Sequence, residues 1–258
     1  MTHHASNNFL FRSASDLIRI GRENDGGYLV SRSDIDHSDV LIGLGINDDW
    51  SFEKEFKELR SVEVYAYDAS ISYKTFLKQF IKSLTRIDNP KIAFSLIGTI
   101  LSYHNFFSNS GNYHIQKFVG LDTDDERHCT LQEIFDHLTH QNIFLKIDIE
   151  GSEYRLLETL IAHQNRISGL VIEFHDTDIH LNPIRNFIKN FPLNLVHIHA
   201  NNFAPIRASD GLPLALELTF SKHCASFKKP SLPHRLDMPN WRDKEDINLN
   251  INSLMNCL

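Results

Sequence analysis

The sequence predicts an α/β fold: a doubly wound, mostly parallel sheet with one antiparallel strand near the C-terminus. Two observations carry this. From residue 40 to residue 191, short apolar runs alternate with stretches of helical periodicity, as successive βαβ units require. The runs 195–199 and 214–220 then follow each other with a loop but no helix between them, so these two strands are expected to pair antiparallel.

The elements follow in order. Asn24-Asp25-Gly26-Gly27 is a turn signal between the run starting at Ile18 and Tyr28-Leu29-Val30. Val40-Leu41-Ile42 reads as a strand broken by Gly43-Leu44-Gly45. Phe52, Phe56 and Leu59 recur at i, i+4 and i+7, which gives a helix. Residues 62–67 form a second strand ending at Asp68. Tyr73, Phe76, Leu77, Phe80, Ile81 and Leu84 then make one apolar face opposite Lys74, Lys78 and Lys82, as in an amphipathic surface helix. Pro90 closes that helix, and residues 92–97 are expected to be the third strand. Residues 99–128 mix aromatics with Asn, Ser and Gly without a period, and no element is assigned there. A helix over 131–138 leads to a strand at 143–147, a helix from 153 to 162, a strand at 170–174 and a helix at 184–191. The tail from about 222 to 258, rich in Pro and Asn, is expected to wrap the surface. No repeat or low-complexity linker divides the chain, so one domain is expected over 1–258, with an N-terminal extension of about 1–30 and that tail.

A formal net charge of −7 argues against a general nucleic-acid binder, which needs clustered Lys and Arg. No apolar run approaches the roughly 20 residues that span a bilayer. Met1 to Asn8 is polar and lacks a signal-peptide core. Cys129, Cys224 and Cys257 are scattered without a CxxC pair and read as reduced thiols of a cytoplasmic protein. The expected partners are a small-molecule substrate and, in a homo-oligomer, further copies of the chain.

The chemistry is densest at Phe144-Leu145-Lys146-Ile147-Asp148-Ile149-Glu150-Gly151-Ser152-Glu153. An apolar strand ends there in two carboxylates one residue apart, at the edge where open α/β sheets bind ligands. On an extended strand Asp148 and Glu150 point to one side, so the site is expected to handle something polar or positively charged. Gly43-Leu44-Gly45 between a strand and a helix begins a nucleotide-binding turn. The third glycine of a dinucleotide fingerprint is replaced by Asp48, followed by Asp49. Two carboxylates repel a pyrophosphate but tolerate the sulfonium of S-adenosylmethionine. The bland alternative is a glycine turn with acids at a helix start. Asp68, 23 residues beyond Gly45, suits an acid bonding both ribose hydroxyls; otherwise it caps a turn at Ser70 or Ser72.

These residues resemble an S-adenosylmethionine-dependent methyltransferase of the FkbM type. The similarity rests on Asn24-Asp25-Gly26-Gly27-Tyr28, Gly43-Leu44-Gly45 with Ser51-Phe52-Glu53, Asp68, and above all the Lys-x-Asp-x-Glu-Gly signature at Lys146 to Gly151. The resemblance runs from about residue 18 to residue 220. It implies a Rossmann-like class I methyltransferase fold and methyl transfer to a hydroxyl, often on a sugar, including nucleotide-sugar or surface-polysaccharide building blocks. It implies that Gly43, Gly45, Asn47, Ser51, Asp68, Ala69 and Asp148 surround the cofactor, with Asp148 and Glu150 beside the transferred methyl.

Glu173 and His175, then His197 and His199, fall on one side of two further strand ends. Asp148, Glu173 and His175 are therefore candidates to hold Mg²⁺ or Mn²⁺, against a hydrogen-bonded polar rim without metal. A sugar hydroxyl is a poor nucleophile and needs a base near neutral pKa. His199 is the leading candidate, with His175 and Glu150 as rivals. Two other readings are a metal-dependent hydrolase, which has no use for Gly43, Gly45 and Asp68, and a non-catalytic cofactor-binding module.

Overall fold

The computed structural model describes residues 11–84, 90–223 and 232–249. A hairpin of β1 (Leu17–Gly21) and β2 (Gly27–Ser31) comes first, turned through Asn24 and Gly26 at φ of 64° and 86°. Ser31 caps the short helix α1 (Arg32–Asp36) by accepting from the Asp34 amide. Then come β3 (Val40–Leu44), α2 (Ser51–Leu59), β4 (Glu63–Tyr67), α3 (Tyr73–Leu84), α4 (Pro90–Phe107) and β5 (Asn112–Ile115). A small parallel pair, β6 (Phe118–Val119) and β7 (His128–Cys129), precedes α5 (Leu131–His137) and β8 (Ile143–Ile147). The chain continues with a 3₁₀ turn at Glu153–Arg155, α6 (Leu157–Ala162), β9 (Ile167–Phe174), α7 (Leu181–Asn190), β10 (Asn194–Ala200) and β11 (Leu216–Ser221).

Seven strands form the central sheet in the order β10-β11-β9-β8-β3-β4-β5. Pairings from β5 to β9 are parallel, and β11 runs antiparallel to both of its neighbours. The expected sheet with one reversed strand near the C-terminus is therefore present, in the strand order of a Rossmann-like class I methyltransferase fold.

Alternation along the strands splits the core into two layers. Val40, Ile42 and Leu44 share one core layer with Ile134, Phe135, Leu160, Ile184 and Phe187 of α5, α6 and α7. Leu41, Val64, Ala66 and Phe144 face the other side, packed by Phe52 and Phe56 of α2 and Phe76 of α3. A sheet covered on both faces needs strands apolar on both, which is why these runs are short and continuous.

The third strand lies elsewhere than expected. Residues 92–97 belong to α4, and Pro90 opens this helix rather than closing the preceding one. Proline is tolerated at a first helical position because that amide has no partner in the helix. The third parallel strand is β5, whose polar sequence Asn112-Tyr113-His114-Ile115 suits a sheet edge. The helix expected from 153 to 162 is divided into the 3₁₀ turn and α6. No helix of the described residues is long and apolar enough to cross a membrane. Of the cysteines, Cys129 is buried, and burial pushes its thiol up to about 11. Cys224, Cys257 and much of the tail lie outside the described residues.

Residues 232–249 carry no helix or strand but are fastened to the β10–β11 side of the sheet. Asn240 donates to Glu217 Oε1 at 2.7 Å and the Trp241 amide to Asn202 Oδ1 at 2.6 Å. His197 Nε2 lies 3.0 Å from Asp237 Oδ1. His199 stands between Glu217 Oε2 and Asp246 Oδ1, each 3.1 Å from a ring nitrogen. Burial opposes its charge, but Glu217's charge, hydrogen bonds to Asp246 and Glu217, and Asp237's charge outweigh it, raising its pKa to about 11.

Protonated His199 therefore stabilises the folded chain fully below the ordinary histidine value of about 6.5, and this contribution fades as pH rises toward about 11. Melting temperatures should fall over that interval in the natural chain more steeply than in His199→Gln. Parallel curves for the two proteins would remove the ionic clasp assigned to His199.

Candidate active site

The order of the sheet reverses beside β3: the chain goes outward through β4 and β5, then returns to β8 on the other flank. A crevice opens at the carboxyl ends of β3 and β8, the topological switch point where such sheets bind ligands. A cavity of about 860 Å³ occupies it, within the range of small-molecule sites.

Its wall is built by two loops pressed together. The Gly45 amide donates to Tyr67 O and the Asp148 amide to Leu44 O, both at 2.9 Å. Gly45 has φ of 76°, and a Cβ on it would lie 1.7 Å from the Asp148 carbonyl oxygen. Only glycine satisfies both conditions. Buried Lys146 donates through Nζ to the Gly45 carbonyl. Asn47 and Glu150, in the two loops, hold the left-handed conformation at φ of 42° and 52°. Such conformations in non-glycine residues concentrate at functional sites.

Asp68, nearly buried, fills the hydrogen-bonding capacity of its carboxylate within the protein. Oδ2 accepts from the Ile46 and Asn47 amides at 3.1 and 2.8 Å, and Oδ1 from the Ser70 amide and hydroxyl at 2.7 and 2.5 Å. The turn cap at Ser70 is thus observed, and the same carboxylate shapes the glycine turn. Asp68 still lines the cavity, so a ribose diol would compete with Ser70 for it.

The far side holds the carboxylates. Asp148, Glu173 and His175 each offer a ligand atom within 4.8 Å of the others. His175 Nε2 faces Glu150 at 3.6 Å, Glu173 at 3.8 Å and Asp148 at 3.9 Å, while Nδ1 is held by Glu153 at 3.0 Å. A carboxylate on the rear nitrogen is what orients a metal-binding imidazole. A divalent cation sits about 2.0–2.6 Å from oxygen donors, so this gathering fits one after small side-chain shifts. Burial opposes charge on His175, but the Glu153 hydrogen bond and the charges of Glu173, Glu153 and Asp148 prevail and raise it to about 9. Burial, then Asp148 and Glu217, push Glu173 well above the usual carboxylate range. Glu53 lies under the glycine turn with no partner on either carboxylate oxygen, and burial, opposed by Lys146, pushes it up to about 7.

The structure sorts the expected site residues. Gly45, Asn47, Asp68, Asp148, Glu150, Glu173 and His175 line one cavity. Gly43, Ser51, Ala69 and His199 do not. Gly43 serves packing, since a Cβ there would lie 2.5 Å from Glu53 Oε1. Ser51 accepts from the Arg22 amide at 2.7 Å and so ties the hairpin to α2. Ala69 contributes its carbonyl to Arg127. His199 is remote because β11 and β9 lie between β10 and β8. Three strand spacings of about 4.8 Å make roughly 14 Å. With both ring nitrogens on carboxylates, His199 has no lone pair to offer a substrate. Glu150 shares the site, though not by strand alternation: β8 ends at Ile147, and the turn at Glu150 brings its exposed side chain toward His175.

Tyr28, Glu153 and Asn201 complete the site, though the sequence reading assigned none of them a role in it. The Tyr28 hydroxyl lies 3.0 Å from Asp148 Oδ2 and 3.4 Å from Glu173 Oε2, and Asn201 donates to Glu173 Oε1 at 2.8 Å. Burial, with the charges of Asp148 and Glu173, pushes Tyr28 well above 10, so it stays a donor. Tyr28 stood inside a recognised stretch, Asn24 to Tyr28, but nothing local shows that the hairpin reaches β8.

No protein-family model matches the chain, and no curated protein sequence does. Among solved structures, the chain is similar to the precorrin-6y C5,15-methyltransferase of Geobacter metallireducens, with 13% identity over 74% of this chain and 86% of that one and a TM-score of 0.39. It is also similar to an rRNA methylase from Streptococcus thermophilus, with 8% identity over 74% and 93% and a TM-score of 0.38. The fibrillarin pre-rRNA processing protein of Methanococcus jannaschii gives 10% identity over 72% and 67%, with a TM-score of 0.37. At these scores the likeness bears on neither activity nor substrate.

Gly45→Ala should cost more than about 3 kcal/mol in urea unfolding, because a left-handed alanine also collides with the Asp148 carbonyl. Gly151→Ala, at φ of 95° with nothing within 4 Å of the new methyl, should cost only about 1–2 kcal/mol. Equal costs would mean that the close approach of the two loops is not a constraint.

Proposed function

We propose that the chain is an S-adenosylmethionine-dependent O-methyltransferase of the FkbM type, acting on a hydroxyl of a sugar or nucleotide-sugar building block. The domain would comprise residues 1–258. The observation that carries this reading is the acid-lined crevice at the β3–β8 switch point. Its glycine turn is of the nucleotide-binding kind, yet Asp48, Asp49, Asp68 and Asp148 line it and Lys146 is turned onto the Gly45 carbonyl. A pyrophosphate would be repelled there, whereas a sulfonium cofactor is favoured.

S-adenosylmethionine would supply an activated methyl group; the chain's own residues would position the acceptor and manage its proton. Gly45 and Asn47 form the turn against which the cofactor would lie, and Asp68 fixes that turn. Asp148, Glu173 and His175 would hold Mg²⁺ or Mn²⁺, with Glu153 and Tyr28 orienting His175 and Asp148. A cation there would offset the mutual repulsion of the carboxylates and lower the pKa of a bound hydroxyl. Glu150, exposed beside His175 Nε2, is the member of the cluster able to pass a proton to water. Orientation of the acceptor supplies much of the remaining rate.

Calorimetry should show S-adenosylmethionine and its demethylated product binding, and NAD failing to bind. Asp68→Ala should weaken cofactor binding at least tenfold, since the Ile46 and Asn47 amides lose a charged acceptor worth roughly 1.5–3 kcal/mol per bond. No binding of S-adenosylmethionine by the natural chain would overturn the reading.

Exhaustive chelation should abolish transfer to nucleotide sugars while leaving cofactor affinity nearly intact, and Mg²⁺ or Mn²⁺ should restore it. Transfer that survives chelation in protein free of metal by elemental analysis would remove the cation and leave the carboxylates to act alone.

A further inference from the structure

Helices α3 and α4 pack against each other, and α4 anchors them to the body through its inner side. Tyr103 and Phe107 meet the ring of Trp50 at 5.5 and 5.9 Å, and the Trp50 indole donates to Ser102 at 3.2 Å. On α3 only Phe76 among the large apolar residues is buried. Tyr73, Leu77, Ile81 and Leu84, which share with it the apolar face read from the sequence, are exposed at i, i+4, i+8 and i+11, one stripe of the helix. Lys74, Lys78 and Lys82 do not stand opposite this stripe, as the sequence reading had them. Each follows Tyr73, Leu77 or Ile81 by one residue, about 100° round the helix, so they form the adjoining stripe. The outer side of α4 carries a second apolar stripe, Phe94, Ile97 and Leu101, with Phe94 74% exposed.

Seven of the fifteen large hydrophobic residues exposed on the described protein stand on these two helices. Soluble proteins seldom leave such a concentration uncovered. The charge around it has one sign: residues 73–107 hold four lysines and one arginine against a single aspartate, in a chain of net charge −7. An amphipathic helix with lysines beside aromatic and leucine side chains is the form that lies in the interface of an anionic bilayer. α4 is not apolar enough to span it.

We propose that the α3–α4 pair is a docking surface for an anionic lipid bilayer. Leu77, Ile81, Phe94 and Leu101 enter the headgroup boundary, and Lys74, Lys78 and Lys82 sit on the lipid phosphates. A second copy of the chain is the less favourable occupant, because each copy would bring the same lysines to the contact.

The test is co-sedimentation of the full chain with vesicles of phosphatidylcholine alone and of equimolar phosphatidylcholine and phosphatidylglycerol. Binding is expected on the anionic vesicles, weakening with salt, and little on the neutral ones. Replacing Lys74, Lys78 and Lys82 together by Gln should lower the partition coefficient roughly a hundredfold, about fivefold per lysine. Phe94→Glu with Leu101→Glu should abolish binding at unchanged circular dichroism and melting temperature; if that variant does not fold, the lysine variant decides. Binding to neither vesicle, equal binding to both, or undiminished binding of the lysine variant would overturn the proposal. Self-association by light scattering that Phe94→Glu disrupts, without vesicle binding, would give the face to a second copy and equally overturn it.

Discussion

The crevice depends on one contact, the approach of the Gly45 backbone to the Asp148 carbonyl. The loops that leave β3 and β8 can run this close because residue 45 has no side chain and accepts φ of 76°. Lys146, reaching from β8 to the Gly45 carbonyl, adds a charge-assisted bond across the same seam. The Asp68 carboxylate secures the next two amides from the β4 side. Three adjacent strands thus fix the turn, and the cavity inherits its shape from them. Losing the Lys146 or the Asp68 contact would leave the Gly45 carbonyl or the Ile46 and Asn47 amides without that partner.

The second determinant is a buried polar row across the sheet. His199, Glu217 and Glu173 are register partners on β10, β11 and β9, so their side chains stand on one face. Tyr28 and Asn201 donate to Glu173, and Asn240 donates to Glu217. Buried carboxylates are tolerated only when protonated, paired or hydrogen-bonded, and here the partners come from both ends of the chain. The N-terminal hairpin supplies Tyr28 and residues 232–249 supply Asn240 and Asp246. Both segments lie outside the seven-stranded sheet, yet the site's electrostatics rest on them.

This explains which parts were legible in the sequence. β3, β4, β8 and β9 showed as apolar runs because helices cover both faces of the sheet. The reversed β11 showed because no helix fits between β10 and β11. Asp148, Glu173 and His175 were found together because they stand at the ends of β8 and β9, neighbouring parallel strands whose ends lie on one rim. His199 was misplaced for a related reason: its strand also ends at that rim, but inserting β11 moved it one strand farther out. The tail that neutralises it has no periodicity from which to place it. Tyr28 is separated from Asp148 by 120 residues, and only the packing of the hairpin reveals the contact.

The misreading of residues 92–97 and the exposed face of α4 have a common cause. A helix whose apolar residues cover only one side announces itself by its period. α4 has apolar residues on the side that meets Trp50 and again on the outer side, so the period is blurred and a six-residue window resembles a buried strand. A sequence apolar all round is ordinarily explained by burial all round. In this fold the outer side of α4 has no protein over it among the described residues, and α3 repeats the pattern beside a row of lysines. The ambiguity in the sequence therefore reflects an outer apolar face that the described part of the chain leaves exposed, the face proposed above to meet the bilayer.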